Sequence, residues 1–141
     1  MALVLVVAEY VIGMYVNLYA TLPRADHGHD VATAISNGPV MLSIHAVAGL
    51  LLGLGALGVL VQAIRSRRPA VIAWSAAGLA ALAMASVAGA GFTSTGDRSA
   101  SMAMSVLTGV ALVCYAVNIY LARLSSPSLQ ARAAADRPRQ A

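Results

Sequence analysis

The sequence predicts an all-α fold, an integral membrane antiparallel four-helix bundle with both termini on the cytoplasmic side. Three observations lead there. Of 141 residues, 60% are apolar and only 10% charged, too few charges to cover the surface of a soluble domain this size. The apolar residues gather into four runs of about membrane-spanning length, near residues 3–22, 39–64, 70–92 and 100–121. All nine basic side chains are Arg, and they cluster where membrane topology would put them. Arg65, Arg67 and Arg68 in one turn share a side with Arg123, Arg132, Arg137 and Arg139 of the tail. The opposite side has Arg24 and Arg98, offset by Asp26, Asp30 and Asp97. By the positive-inside rule the arginine-rich side is the cytoplasm.

The first run, Met1–Leu22, lacks a basic leader and carries Glu9, Asn17 and three tyrosines. It reads as a retained helix and not as a cleaved secretory signal. A polar stretch, PRADHGHDVATAISNG, leads to the second run. That run, Pro39–Ile64, is 26 residues with His45 as its one ionisable side chain. It would span ~39 Å as an ideal helix, so it tilts or extends past the hydrocarbon. Asn37-Gly38-Pro39 suits a helix entry, because proline in the first turn gives up an N–H that has no intrahelical acceptor. RSRRP ends it in a turn no bilayer core accepts. The third run is rich in Ala and Gly, a composition for close helix packing, and TSTGDRS joins it to the fourth. Residues 1–124 thus form one domain, followed by an Arg-, Ala- and Pro-rich tail over 125–141, expected to be disordered or to lie on the membrane surface. Trp74, Tyr19 and Tyr120 fall near helix ends as interface anchors. The single Cys114 sits mid-helix, which excludes a disulfide framework and a thiolate metal site.

Each run keeps its polar and small residues on one face. Glu9, Gly13, Asn17 and Thr21 follow i, i+4 spacing. His45 shares a face with Met41, Gly49, Leu52 and Ala56, so it is expected to point at protein. Ser75, Gly78, Ser86, Gly89 and Thr93 form a third stripe. Ser101, Ser105, Thr108 and Tyr115 form a fourth, with Asn118 somewhat to one side. Counting ~1.5 Å per residue from the helix ends predicts two polar layers. The outer holds Asn17, His45, Ser86 and Ser105, and the inner holds Glu9, Ser75 and Tyr115. In this scheme Glu9 pairs with Tyr115, Ser75 or Asn118, since a lone carboxylate in hydrocarbon is costly.

Binding or proton-handling candidates are therefore His45, Glu9, Asn17, Tyr115, Asn118, Ser86 and Ser105. Asp26, His27, His29 and Asp30 offer two imidazoles and two carboxylates, a weak Zn²⁺ or Cu²⁺ motif whose plain reading is a solvated loop. Neutral imidazole also makes His45 a candidate ligand for haem b, with Met41, Met84, Met102 or Met104 as the second. The glycine runs are packing signals and not phosphate loops, as no strand precedes them and no Lys follows.

Gly13-Met-Tyr-Val-Asn17-Leu-Tyr, His45-Ala-Val-Ala-Gly49-Leu-Leu and the small-residue third run resemble small four-helix bacterial membrane proteins of unassigned function, over roughly residues 5–121. The resemblance implies a fold and a bacterial cytoplasmic membrane. More distantly, the histidine-bearing helix is similar to four-helix cytochrome b-type subunits, though without their paired intramembrane histidines. The basic balance is not a nucleic-acid signal. The partners expected are the lipid bilayer, further copies of the chain or a larger membrane complex. Catalytic signatures are lacking, so the first functional expectation is a non-enzymatic membrane protein or accessory subunit. The alternatives are a haem- or quinone-linked electron-transfer protein using His45, and an oligomeric small-solute or proton transporter.

Overall fold

The computed structural model describes residues 2–19, 40–95 and 97–124, and these are all-helical. Four helices follow in order: α1 (Ala2–Tyr19), α2 (Val40–Ser66), α3 (Pro69–Thr95) and α4 (Arg98–Leu124). The last three have 27 residues each, or ~40 Å of helix against ~30 Å of hydrocarbon. Val40–Ser66, Pro69–Thr95 and Ser99–Arg123 are each long and apolar enough to cross a membrane, the mark of a membrane protein. α1 is shorter, with 18 residues.

Two tight connections are built from local chemistry. α2 and α3 are linked by Arg67 and Arg68 alone. Arg67 closes α2 with φ of 55°, its N–H donating to the Ile64 carbonyl at 3.1 Å, the left-handed cap that orphan terminal carbonyls favour. Pro69 then opens α3, where a missing N–H leaves no bond broken. Before α4, Asp97 is the N-cap: the Ser99 N–H donates to its Oδ1 at 2.9 Å, and the Ser99 hydroxyl to its Oδ2 at 2.6 Å.

The helices pack in a ring, α1 on α2, α2 on α3, α3 on α4 and α4 back on α1. The α3–α4 contact is by far the most extensive. Small residues make it so. A Cβ at Gly78 would stand 3.0 Å from the Tyr115 ring and 3.3 Å from Cys114 Cβ, so this glycine lets α4 press directly on α3. All four helices feed one apolar cluster of Val6, Leu52, Ala56, Ala81, Leu82, Ala111 and Tyr115.

Polarity runs opposite to a soluble protein. Val87, Met102, Leu50 and Val113 face outward and exposed, while Glu9, Ser75, Ser101 and Asn118 are buried. An apolar outside around a small, polar seam is what the four stripes predict. Trp74, Tyr19 and Tyr120 are exposed near helix ends, as interface anchors require. The tail and the loop over 20–39 lie outside the described residues.

Candidate functional site

Glu9 and His45 meet. Glu9 Oε1 lies 2.8 Å from His45 Nδ1, with the glutamate side chain 8% exposed and the imidazole 21%. The contact is ion-pair close, but the oxygen sits out of line with a ring N–H, so no linear hydrogen bond joins them. The second carboxylate oxygen, Oε2, is buried without a hydrogen-bond partner among the described residues.

Two glycines make the approach feasible. A Cβ at Gly13 would stand 2.9 Å from His45 Cε1, and one at Gly49 would stand 3.3 Å from Glu9 Oε1. Each ionisable side chain thus lies on a glycine of the facing helix. This corrects the two-layer expectation, in which His45 belongs to an outer set and Glu9 to an inner one with Tyr115, Ser75 or Asn118. The depth count gives every helix the same slab and measures each residue from its nearer end. Helices offset along their axes break that assumption, as the Glu9–His45 contact shows for α1 and α2.

The pair borders a cavity of ≈ 520 Å³ among the four helices, within the roughly 300–1,000 Å³ typical of small-molecule sites. Leu42, Leu52, Leu79 and Leu82 give it an apolar wall, and Ser86, Thr93, Ser105 and Thr108 supply hydroxyls. None of those hydroxyl protons is free for a ligand. Ser86 donates to the Leu82 carbonyl at 3.0 Å, Ser105 to Ser101 at 3.2 Å, Thr108 to Met104 at 2.8 Å and Thr93 to Ala90 at 2.9 Å. Ser and Thr inside helices return their protons to their own backbone in this way. Their oxygens remain acceptors.

A second polar set lies apart. Asn118 Nδ2 donates to Ser75 Oγ at 2.6 Å, and the Ser75 hydroxyl donates to the Val71 carbonyl at 2.8 Å. Asn118 is fully part of the buried seam and not to one side of it. Tyr115 OH and Asn118 Oδ1 are buried without partners among the described residues. The apolar cluster begins at Val6, one turn from Glu9, and ends at Tyr115, one turn from Asn118, so it separates the two polar sets.

Among the described residues, His45 and the candidate methionines are not arranged as a two-ligand haem site. One edge of the His45 ring faces Glu9 and its Cε1 edge abuts Gly13. Met41, Met84 and Met102 are exposed on outward faces, and Met104 packs its Sδ against Gly89. No group of three or more His, Cys, Asp or Glu that could hold a metal ion occurs among the described residues. Asp26, His27, His29, Asp30 and the side chain of Asn17 lie outside them.

The pair itself was missed from sequence, although a signal was present. Glu9-xxx-Gly13 and His45-xxx-Gly49 share one spacing, and these are the two ionisable side chains well inside the first two runs. No family model, curated protein or solved structure matches the chain.

Proposed function

We propose that this chain is a non-enzymatic, multi-pass protein of a bacterial cytoplasmic membrane that binds a small solute at the Glu9–His45 pair, alone or as a subunit of a larger membrane complex. In this reading the bundle is antiparallel with both termini inside. Contacts in reversed order along α1 and α2, Glu9 with Gly49 and Gly13 with His45, support that arrangement. The arginines at 65, 67, 68 and 123 support the orientation.

The observation that carries the binding reading is one buried carboxylate oxygen, Glu9 Oε2, left without a partner among the described residues in a side chain that lines a ≈ 520 Å³ cavity. A buried acceptor without a donor is costly, and a ligand that donates to it removes that cost.

Cysteine reactivity tests the reading. In a Cys114→Ala background, Ser105→Cys and Thr108→Cys on the cavity wall are expected to react with N-ethylmaleimide, which needs water to ionise the thiol. Ala111→Cys, within the apolar cluster, is expected to resist. Reaction at Ser105→Cys or Thr108→Cys no faster than at Ala111→Cys would mean a filled, dry bundle and would end the binding reading.

A further inference from the structure

We infer that the ligand is a lipophilic primary amine, entering from the bilayer between α2 and α3 and seating its head group at Glu9; this rests on the binding reading above.

Hydrogen-bond polarity selects the head group. Glu9, whose Oε2 has no partner among the described residues, lines the cavity with the acceptor oxygens of Ser86, Ser105 and Thr108 and with Tyr10, whose hydroxyl accepts as well as donates. Such a lining rewards a ligand with several donors, and an ammonium has three N–H donors and no acceptor. The oxygen at issue belongs to a side chain more than nine-tenths buried, so it has little water to fall back on.

Charge selects the form in which the ligand is held. A protonated amine, R–NH₃⁺, is balanced where a carboxyl side chain faces it, and Glu9 is the one acidic side chain among those lining the cavity. A charge paired in this way is not left alone in low dielectric, which would be prohibitive.

The route follows from how α2 and α3 meet. Gly53 lines the cavity, yet a Cβ there would find no atom within 4 Å. Leu50 and Leu54 line it while 66% and 59% exposed. The gap is walled by apolar side chains on a face that lipid covers, so it admits an apolar body.

The test is equilibrium binding of tritiated 6-phenylhexylamine to the full chain in nanodiscs, with empty nanodiscs subtracted. Saturable binding is expected, with the matching alcohol and the matching trimethylammonium each competing at least about tenfold more weakly, because one lacks the charge and the other the N–H donors. Glu9→Gln is expected to weaken binding about tenfold or more. Gly53→Leu, which leaves the pair intact and fills the gap, is expected to slow association about tenfold, read from the time course of binding to the same nanodiscs. An alcohol that binds as tightly as the amine would overturn the charge argument. A trimethylammonium that binds as tightly would overturn the donor argument, and an unchanged association rate in Gly53→Leu would overturn the route. If no saturable binding occurs while Ser105→Cys still reacts with N-ethylmaleimide, the amine assignment fails and the binding reading stands. If neither occurs, both fall.

Discussion

Glu9 and His45 each precede a glycine by four residues, and each side chain rests on the glycine that follows the other. The arrangement is reciprocal: Glu9 over Gly49, His45 over Gly13. Two helices carrying a carboxylate and an imidazole at one level come within 2.8 Å of pairing them because neither backbone has a Cβ in the way.

That reciprocity ranks three alanine substitutions. Gly13→Ala places a methyl 2.9 Å from a ring already held by Glu9, so something must shift, and a loss of about 1–3 kcal/mol is expected. Gly49→Ala meets a carboxylate oxygen at 3.3 Å, which can give by a few tenths of an ångström, so its loss is smaller. Gly53→Ala meets nothing and gains helix propensity, a stabilisation of about 0.5–1 kcal/mol. Thermal unfolding in detergent reads the order, and Gly49→Ala falling below Gly13→Ala would refute the reciprocal contact.

Removing one member of the pair is expected to hurt more than removing both. His45→Ala strips Glu9 of its partner in the bundle interior, a loss of about 3 kcal/mol or more if the carboxylate stays charged, and less if it takes a proton. Glu9→Leu with His45→Leu removes the desolvated pair altogether and is expected to recover most of that loss. A double-mutant cycle in detergent supplies the numbers. Additive single losses would show that the 2.8 Å contact carries no coupling.

Much of this was legible in the sequence, for identifiable reasons. The breaks at RSRRP and at TSTGDRS are legible because hydrocarbon rejects those sequences, and the helices on either side of them end there. The wheel places His45 with Met41, Gly49, Leu52 and Ala56; Leu52 and Ala56 are buried and His45 meets Glu9, while Met41, one turn nearer the helix start, is exposed. Axial register was not legible. A rotation about a helix axis follows from 100° per residue alone, but a slide along it depends on which side chains interlock. Glu9 was therefore assigned to Tyr115, Ser75 or Asn118 when its neighbour is His45. The spent hydroxyls of Ser86 and Ser105 were equally hidden, since their choice of an i−4 carbonyl leaves no trace in composition.

Ser75 and Asn118 give a separable prediction. Ser75→Ala removes the acceptor of the 2.6 Å bond from Asn118 Nδ2, leaving an amide whose Oδ1 is already without a partner among the described residues. A loss of about 0.5–2 kcal/mol is expected, the range for one interhelical hydrogen bond inside a membrane bundle. In an Asn118→Ala background the same change should cost little. Both measurements use the same unfolding assay. An undiminished cost of Ser75→Ala in that background would place the serine's contribution in its own helix, through Val71.

The pH dependence of the α3–α4 turn follows from Asp97. The Ser99 hydroxyl and then the Ser99 N–H hold its carboxyl below the usual carboxylate range, as a cap at a helix N-terminus does. Because the folded-state value is lowered, the stabilisation is fully present above the unfolded carboxylate value of about 4. It is lost as pH falls from there through the folded value. Asp97→Ala is therefore expected to melt below the parent at pH 7, with the gap closing as pH drops under about 4. Asp97→Asn keeps a capping oxygen without the titration, so its deficit is smaller and nearly flat with pH. Asp97 is exposed and the effect modest, so the sign and closure of the gap are the quantities to measure. A gap that persists unchanged to pH 3 would mean that the charge on Asp97 contributes nothing and that shape alone ends the turn.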